Sequence, residues 1–186
     1  IIYPEGKVGT GTLCNEVAAY YRANQIEAAV RPIHRLDKET LGLVVFCKSP
    51  FIQPQLDWML MHKQINRYYY AFVEGKVEKD GTVDAPIGKD RHRAGKMMVV
   101  SSGKKAITHY RVVRSMKNFT LLECILETGR THQIRVHMKY IGHPVVNDRL
   151  YGESYDNLEM GLQAYKVIFT EPLTEKNVRG ETGCAF

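Results

Sequence analysis

Residues 128–137 read Thr-Gly-Arg-Thr-His-Gln-Ile-Arg-Val-His, a run of hydrogen-bond donors that leads into an amphipathic pattern. Apolar residues recur there at helical spacing: Ile134, Met138 and Ile141. This spacing predicts a helix over residues 131–141, with Thr131 capping its start and Gly142 suiting its end. The free backbone N–H groups of a helix start, together with Arg130, predict affinity for an anion at this position.

A second stretch, residues 34–37, reads His-Arg-Leu-Asp and precedes an apolar run at 41–48 that predicts a buried strand. Asp37 therefore lies in a turn at the rigid end of a strand, a good place for a reactive group. It could equally cap its own turn, which is the common role of such an Asp. Arg35 can bind phosphate or stack on a base.

Arg135 is the candidate partner of Asp37. A nearby cation keeps a carboxylate ionised and aimed, so we predict an ion pair between the two side chains despite their separation in the sequence. The alternative is a surface arginine that pairs with some other acidic residue.

The fold class follows from the order of the remaining segments. Helices are predicted over residues 13–24 and 55–63, and strands over 67–74, 106–113, 118–127 and 163–169. Strands outnumber helices and mostly follow one another, so we predict an α+β domain with a mixed, mostly antiparallel sheet flanked by helices and loops. At 186 residues one domain is expected. Residues 84–105 are expected to be a long irregular stretch.

The net charge of +6 favours a polyanionic partner, although this charge is modest. Lys89, Arg91 and Arg93 lie in the expected irregular stretch. A basic loop is either a solvated surface or a grip on a nucleic-acid backbone, and both interpretations stay open.

The four cysteines form no Cys-x-x-Cys pair, and no run of about 18 apolar residues or signal peptide is present. These features predict buried free thiols and a cytoplasmic protein that does not bind membranes. We further expect a monomer.

Three histidines and one acid, His132, His137, His143 and Asp148, raise the question of a zinc site. No His-Glu-x-x-His is present, and residues five apart on a helix diverge by about 140°. We therefore predict no metal site and hydrogen-bonding roles for the histidines.

Tyr68, Tyr69 and Tyr70 share one predicted strand, on which Tyr69 points away from its two neighbours. Such residues either pack in a core or form a stacking platform for bases, and both remain open.

Taken together, these motifs resemble those of the RluA-like family of pseudouridine synthases. The family pattern His-Arg-Leu-Asp-x-x-Thr-Ser-Gly-Leu matches residues 34–43 except at Leu41, and Lys-x-Tyr-x-Ala matches 67–71 with Arg67 in place of lysine. The third family pattern matches residues 128–137, 142–144, Asp148 and 151–152. The resemblance covers about residues 10–170. The family's usual first strand and the S4-like RNA-binding domain of many members have no clear counterpart.

The resemblance implies one pseudouridine synthase catalytic domain over residues 1–186, built around an RNA-binding cleft; whether the chain is truncated at its ends stays open. It implies Asp37 as the catalytic aspartate, Tyr69 as the tyrosine stacked on the target base, Arg135 as the partner of Asp37, and Arg35 as the residue that helps fill the space left by the flipped uridine. The implied reaction isomerises uridine to pseudouridine in ribosomal or transfer RNA without a cofactor. Attack at C1′, attack at C6 and removal of a sugar proton stay open.

The residues predicted to bind RNA are mostly basic: His34, Arg35, Lys89, Arg91, Arg93, Arg130 and His132. Two other functions compete with this interpretation. An RNA-binding protein without catalysis is disfavoured by the intact Asp37, Tyr69 and Arg135, and a metal-dependent hydrolase is disfavoured by the spacing of the histidines.

Overall fold

The computed structural model describes residues 2–3, 9–154 and 159–186. In this part of the chain the secondary-structure elements are α1 (Leu13–Ala23), β1 (Arg31–Pro32), β2 (Leu41–Gly42), β3 (Phe46–Cys47), α2 (Gln53–Met61), β4 (Asn66–Glu74), β5 (Gly81–Asp84), β6 (Ile87–Lys89), β7 (Met97–Val99), β8 (Ile107–Ser115), β9 (Phe119–Leu126), α3 (Gln133–Tyr140), β10 (Leu162–Thr170) and β11 (Asn177–Glu181).

A seven-stranded sheet forms the centre of the described structure. Its order is β11-β10-β4-β9-β8-β5, and β2 pairs in parallel with the start of β10. The long neighbours β4, β8, β9 and β10 are all paired antiparallel. The prediction of an α+β fold with a mostly antiparallel sheet is therefore confirmed.

Strand β4 shows why the two faces of this sheet differ. Tyr69, Ala71 and Val73 are buried, while the alternate side chains are half-buried. The buried face packs against Ile134 and Met138 of α3 in the main hydrophobic core. Burial of each of these two α3 side chains contributes about 1.5–3 kcal/mol to folding, so the strand and the helix hold each other in place.

The start of α3 differs from the prediction. Thr131 does not cap the helix; His132 occupies the N-cap position with φ +56° and makes no capping bond through its side chain. The helix start is held instead by Gln133, whose Nε2 donates to the carbonyl oxygen of Ile107 in β8 at 2.9 Å. Gly142 follows the helix end with φ +85°, as expected for a glycine in this place.

The other two helices form close to their predicted positions. Thr12 and Asn15 cap the start of α1 through reciprocal hydrogen bonds between side chain and backbone. Helix α2 begins at Gln53, with Pro54 in its first turn, and buries Leu56 and Met59. Both side chains enter a second hydrophobic cluster, which includes residues of β3 and β10.

Two further predictions of local structure differ from the structure. The apolar run at 41–48 is split into β2 and β3 and is mostly half-buried. Its Gly42 has φ +114°, and a Cβ there would lie 2.2 Å from the carbonyl oxygen of Ala164, so only glycine permits this close pairing with β10. The stretch 84–105 is irregular only in part: it contains the β6–β7 hairpin, whereas residues 85–86, 90–96 and 100–105 lie outside the strands.

The structure also shows the state of the cysteines and the lengths of the helices. Cys47 and Cys124 are buried, and the four cysteines are free thiols. Among the described residues, the helices are too short and too polar for any of them to cross a membrane.

Candidate active site

A cleft of about 820 Å³ opens beside the buried end of the central sheet. Four segments line it: the turn at 34–40, the end of α2, the start of β4, and residues 125–135 at the start of α3. Its basic side chains outnumber its two acidic ones, Asp37 and Glu127. The basic side chains are Arg35, Lys38, Lys63, Arg67, Arg130 and Arg135. The cleft therefore suits an anionic ligand.

Asp37 and Arg135 meet in this cleft. Nη1 of Arg135 lies 3.7 Å from Oδ2 of Asp37, and the two side chains are 4% and 24% exposed, respectively. The predicted ion pair is therefore confirmed, although 3.7 Å is a charge contact rather than a hydrogen bond. The turn is closed by its backbone, because the Thr40 N–H donates to the carbonyl oxygen of Asp37 at 3.0 Å. With 24% of its side chain exposed against 4% for Arg135, Asp37 is the more exposed member of the pair.

The tighter partner of Arg135 is Asp148. Nε and Nη2 of the guanidinium donate to the two carboxylate oxygens, both at 2.7 Å. Asp148 is fully buried, and the backbone N–H groups of Leu150 and Tyr151 also donate to its Oδ1. Burial acts to lower the pKa of Arg135, but the hydrogen bonds and charge of Asp148, aided by Asp37, raise it above its ordinary value.

The sequence places Asp148 in the third family pattern and among possible metal ligands, but it did not predict the bond to Arg135. The available signal was its place after Gly-His-Pro in that pattern. Together, the guanidinium of Arg135 and the carboxylates of Asp37 and Asp148 carry a net charge of −1. Asp37 is therefore held by a cation that is already neutralised by Asp148, which leaves its carboxylate available to a ligand in the cleft.

Tyr151 connects this charge cluster to the β6–β7 hairpin. The Arg135 guanidinium lies 5.1 Å from the centroid of the Tyr151 ring. The Tyr151 hydroxyl accepts a hydrogen bond from the Met97 N–H of β7 at 2.8 Å and lies 2.9 Å from Nδ1 of His132. Burial raises the pKa of Tyr151 to about 12, so the ring is a neutral phenol that can donate to His132.

Tyr69 lies on the face of β4 that the alternation predicted. It lines the cleft yet is only 6% exposed, because most of the ring packs in the main core. Burial raises the pKa of its hydroxyl; the charge of Arg67 opposes this effect and that of Asp37 adds to it. Tyr69 is therefore a core residue with one edge at the site, and its stacking on a base stays a prediction.

The residues predicted to bind RNA fall into two groups. His34, Arg35, Arg130 and His132 line the cleft. The others, Lys89, Arg91 and Arg93, are exposed on the end of β6 and the turn after it, and we call these three the basic turn. The basic turn does not line the cleft, and the hairpin that carries it contacts the site through the hydrogen bond from Met97 of β7 to Tyr151.

His34 is a poor candidate for an RNA contact by a charged side chain. It is 9% exposed, and its Nε2 accepts a hydrogen bond from the Val45 N–H at 3.2 Å. Burial, aided by the nearby Arg67 charge, lowers the pKa of His34 to about 4. The neutral imidazole therefore supports the turn that carries Asp37.

The histidines considered for a metal site have separate partners. His137 lies between Oγ1 of Thr108 and the carbonyl oxygen of Ala85, both at 2.9 Å. Nδ1 of His143 bonds to the carbonyl oxygen of Glu74 at 2.9 Å. Within residues 2–3, 9–154 and 159–186, no group of three or more His, Cys, Asp or Glu side chains converges in the way that a metal ion requires.

Known structures identify the class of this fold. It is shared with human RNA pseudouridylate synthase domain containing 1, with a TM-score of 0.79 and 24% identity over 92% of this chain and 74% of that one. Human RNA pseudouridylate synthase domain containing 4 gives a TM-score of 0.77 and 22% identity over 98% and 82% of the two chains. The fold is therefore that of a pseudouridylate synthase domain.

Sequence comparisons then identify the family. The chain belongs to the RNA pseudouridylate synthase family, whose model matches residues 6–140. It is 41% identical over 187 residues to the uncharacterized RNA pseudouridine synthase YlyB of Bacillus subtilis, covering 97% of this chain and 62% of that protein. It is 46% identical over 156 residues to ribosomal large subunit pseudouridine synthase D of Nitrosomonas europaea, covering 83% and 45%. The chain thus spans about half to three fifths of the length of these relatives. The resemblance to the RluA-like family is confirmed.

Proposed function

We propose that this chain is the catalytic domain of an RNA uridine isomerase that converts uridine to pseudouridine with Asp37 as its catalytic group. The observation that carries the proposal is the Asp37–Arg135 pair at the base of a basic cleft, in a chain of this family. Several similar proteins are named ribosomal large subunit pseudouridine synthase D. Large-subunit ribosomal RNA is therefore the substrate that we propose to test first, with transfer RNA as the alternative.

The proposed reaction rearranges the atoms of one nucleoside. The C1′–N1 bond breaks, the uracil turns, a C1′–C5 bond forms, C5 loses its proton and N1 gains one. Of the two carboxylates that line the cleft, Glu127 is already bound to Lys63 and His109, so we assign to Asp37 the role of nucleophile or base toward the uridine. Arg135, neutralised by Asp148, holds Asp37 in position while leaving its charge available.

The cleft is large enough for a nucleotide that has left its stack. Pockets that enclose small ligands have volumes of about 300–1,000 Å³, and this cleft has about 820 Å³. A base inside a duplex or folded RNA must be extruded before the glycosidic bond can be reached. Arg35 and Arg130 are exposed on the cleft lining, and we assign to them contact with the phosphates next to an extruded nucleotide.

We assign to Tyr69 contact with the uracil. Because burial raises the pKa of its hydroxyl, the residue is a neutral phenol at pH 7 and can donate a hydrogen bond to a uracil oxygen. Its 6% exposure favours contact through the hydroxyl and ring edge over a solvent-open stacking platform.

The test measures tritium release from RNA labelled with tritium at C5 of uridine, first with large-subunit ribosomal RNA and then with transfer RNA. The wild-type chain is expected to release tritium and Asp37→Asn to release none, with its melting temperature within a few degrees of the wild type. Asp37→Asn activity near that of the wild type would remove Asp37 from its role. RNA binding without release by the wild type would support the non-catalytic alternative.

A further inference from the structure

Helix α2 carries an exposed pair of aromatic rings that the proposed catalysis does not use. Trp58 is the only tryptophan of the chain and is 46% exposed, although tryptophan is on average highly buried. The exposed His62 stacks on it, with ring centroids 4.0 Å apart and planes inclined by 22°. Nδ1 of His62 bonds to the Trp58 carbonyl oxygen at 2.8 Å, which holds the imidazole against the indole.

This pair is not required to anchor the helix. Leu56 and Met59, on the other face of α2, are already buried in the second hydrophobic cluster. Trp58, Met61 and His62 lie at i, i+3 and i+4, so they share the opposite face. Met61 is 72% exposed, and the three side chains therefore form an apolar and aromatic surface open to solvent.

The surface is continuous with the catalytic cleft. Leu60, Met61 and Lys63 line the cleft, so the end of α2 is one of its rims. Lys63 reaches toward the opposite rim, where its Nζ lies 3.2 Å from Oε2 of Glu127. An RNA strand whose uridine enters the cleft must pass over a rim on its way in or out.

We propose that Trp58 and His62 form a stacking site for an unpaired RNA base that neighbours the uridine in the cleft. The occupant is a nucleobase because the surface offers flat rings beside a cleft in which basic side chains outnumber acidic ones. Aromatic rings accept any base, since every base has a π-face, and stacking is the usual way in which unpaired bases are held. The inference rests on the proposed function only in requiring that RNA occupies the cleft.

The single tryptophan allows a direct test by fluorescence. The wild-type chain is titrated at one fixed pH with a short oligouridylate and, separately, with an abasic oligoribonucleotide of the same length, which has the same phosphates but no bases. Quenching of the Trp58 emission by the oligouridylate, with little quenching by the abasic strand, is the expected result. Equal quenching by both strands, or none by either, would overturn the stacking site.

Variants test the contribution to affinity. Trp58→Ala is expected to weaken oligouridylate binding by about 5- to 10-fold, the low end of the effect of base–aromatic stacking, as suits a partly exposed site. Trp58→Phe keeps a ring and should retain most of the affinity. Tyr140→Ala is the matched control, because Tyr140 is 61% exposed on α3 and does not line the cleft; its affinity should equal that of the wild type.

Two further results distinguish a stacking site from a change in folding and from the proposed catalysis. Each variant is checked by its melting temperature, and a Trp58→Phe loss as large as that of Trp58→Ala would contradict stacking. Tritium release by the wild type separates the two proposals. Tritium release without base-dependent quenching of the Trp58 fluorescence would refute the stacking site alone. Base-dependent quenching without tritium release from either RNA would refute the proposed isomerase alone.

Discussion

Replacing Asp148 with Asn removes one negative charge from a fully buried place while keeping the shape of the side chain. In the wild type this carboxylate accepts two hydrogen bonds from Arg135, both at 2.7 Å. The amide retains one oxygen that can accept, but its NH₂ group faces an N–H of the guanidinium, so a donor meets a donor. The substitution therefore breaks half of the contact and leaves the charge of Arg135 balanced by Asp37 alone.

The expected loss of stability follows from this geometry. Breaking a buried ion pair by removing one partner costs about 3–5 kcal/mol, and we expect about 2–3 kcal/mol here because one oxygen still accepts. Asp37, at 3.7 Å from Arg135, also remains as a counter-charge. In a chain of 186 residues, such a loss lowers the melting temperature by about 4–12 °C.

The expected loss of activity has a different cause. Without the Asp148 charge, Arg135 is drawn onto Asp37 until the 3.7 Å contact becomes a charge-assisted hydrogen bond. Such bonds measure about 2.8 Å, so the two groups approach by about 1 Å. A displacement of about 1 Å in a catalytic group can cost about 100-fold in rate. We therefore expect kcat for tritium release to fall by about 10- to 100-fold, with a smaller change in KM.

The assay combines thermal melting with tritium release at saturating RNA. Glu78→Gln is a suitable control because it removes a carboxylate from an exposed pair, Lys76–Glu78 at 3.1 Å. That change should alter stability by less than about 1 kcal/mol and leave turnover unchanged. Wild-type turnover by Asp148→Asn would refute the view that Asp148 positions Arg135 for Asp37. Lost stability with normal turnover would restrict Asp148 to a structural role.

Three further outcomes are expected. Tyr69→Phe should leave RNA affinity unchanged and lower turnover by about 2- to 10-fold, which is the effect of one hydrogen bond. If the variant instead cleaves the glycosidic bond but forms no pseudouridine, the Tyr69 hydroxyl is the group that removes the C5 proton. Alanine at all three residues of the basic turn should flatten the plot of log affinity against log salt, by about 0.7–0.9 for each phosphate that is no longer neutralised, and an unchanged slope would make the turn a solvated surface. His34 has a pKa of about 4 in the folded chain against an ordinary 6.5, so the unfolded chain binds its proton more readily. The neutral state of His34 therefore contributes about 3 kcal/mol to the free energy of unfolding above pH 6.5, and this contribution is lost as the pH falls toward 4. In urea unfolding across that pH range, the stability of His34→Gln should depend less on pH than that of the wild type. An unchanged dependence would contradict the low pKa of His34.

The main elements could be predicted because they depend on local periodicity. Strand β4 alternates with a period of two residues, so the side of Tyr69 opposite to Tyr68 and Tyr70 followed from the sequence alone. Helix α3 followed from the spacing of Ile134 and Met138 in the same way. These patterns depend on the geometry of a few consecutive residues and need no knowledge of distant partners.

Short elements and caps could not be predicted, because distant contacts determine them. Strands β6 and β7 have three residues each and too few side chains for a period to be detected. The cap expected at Thr131 is displaced by His132, whose left-handed backbone accompanies a side-chain contact with Tyr151 at 2.9 Å. Burial of His34 likewise depends on packing that brings Val45 back to its ring.

Local patterns in the amino-acid sequence are enough to derive the order of the long strands and the helices, the face on which Tyr69 lies, and the motifs that contain Asp37 and Arg135. The packing of distant segments alone shows that Arg135 binds Asp148 more tightly than Asp37, that the helix carrying the Trp58–His62 pair ends in the lining of the cleft, and that the basic turn lies outside it. The physical reason is range. Periodicity acts within one turn or strand, whereas charge pairs and cleft walls are formed by residues that only the packing of the sheet and its helices brings together.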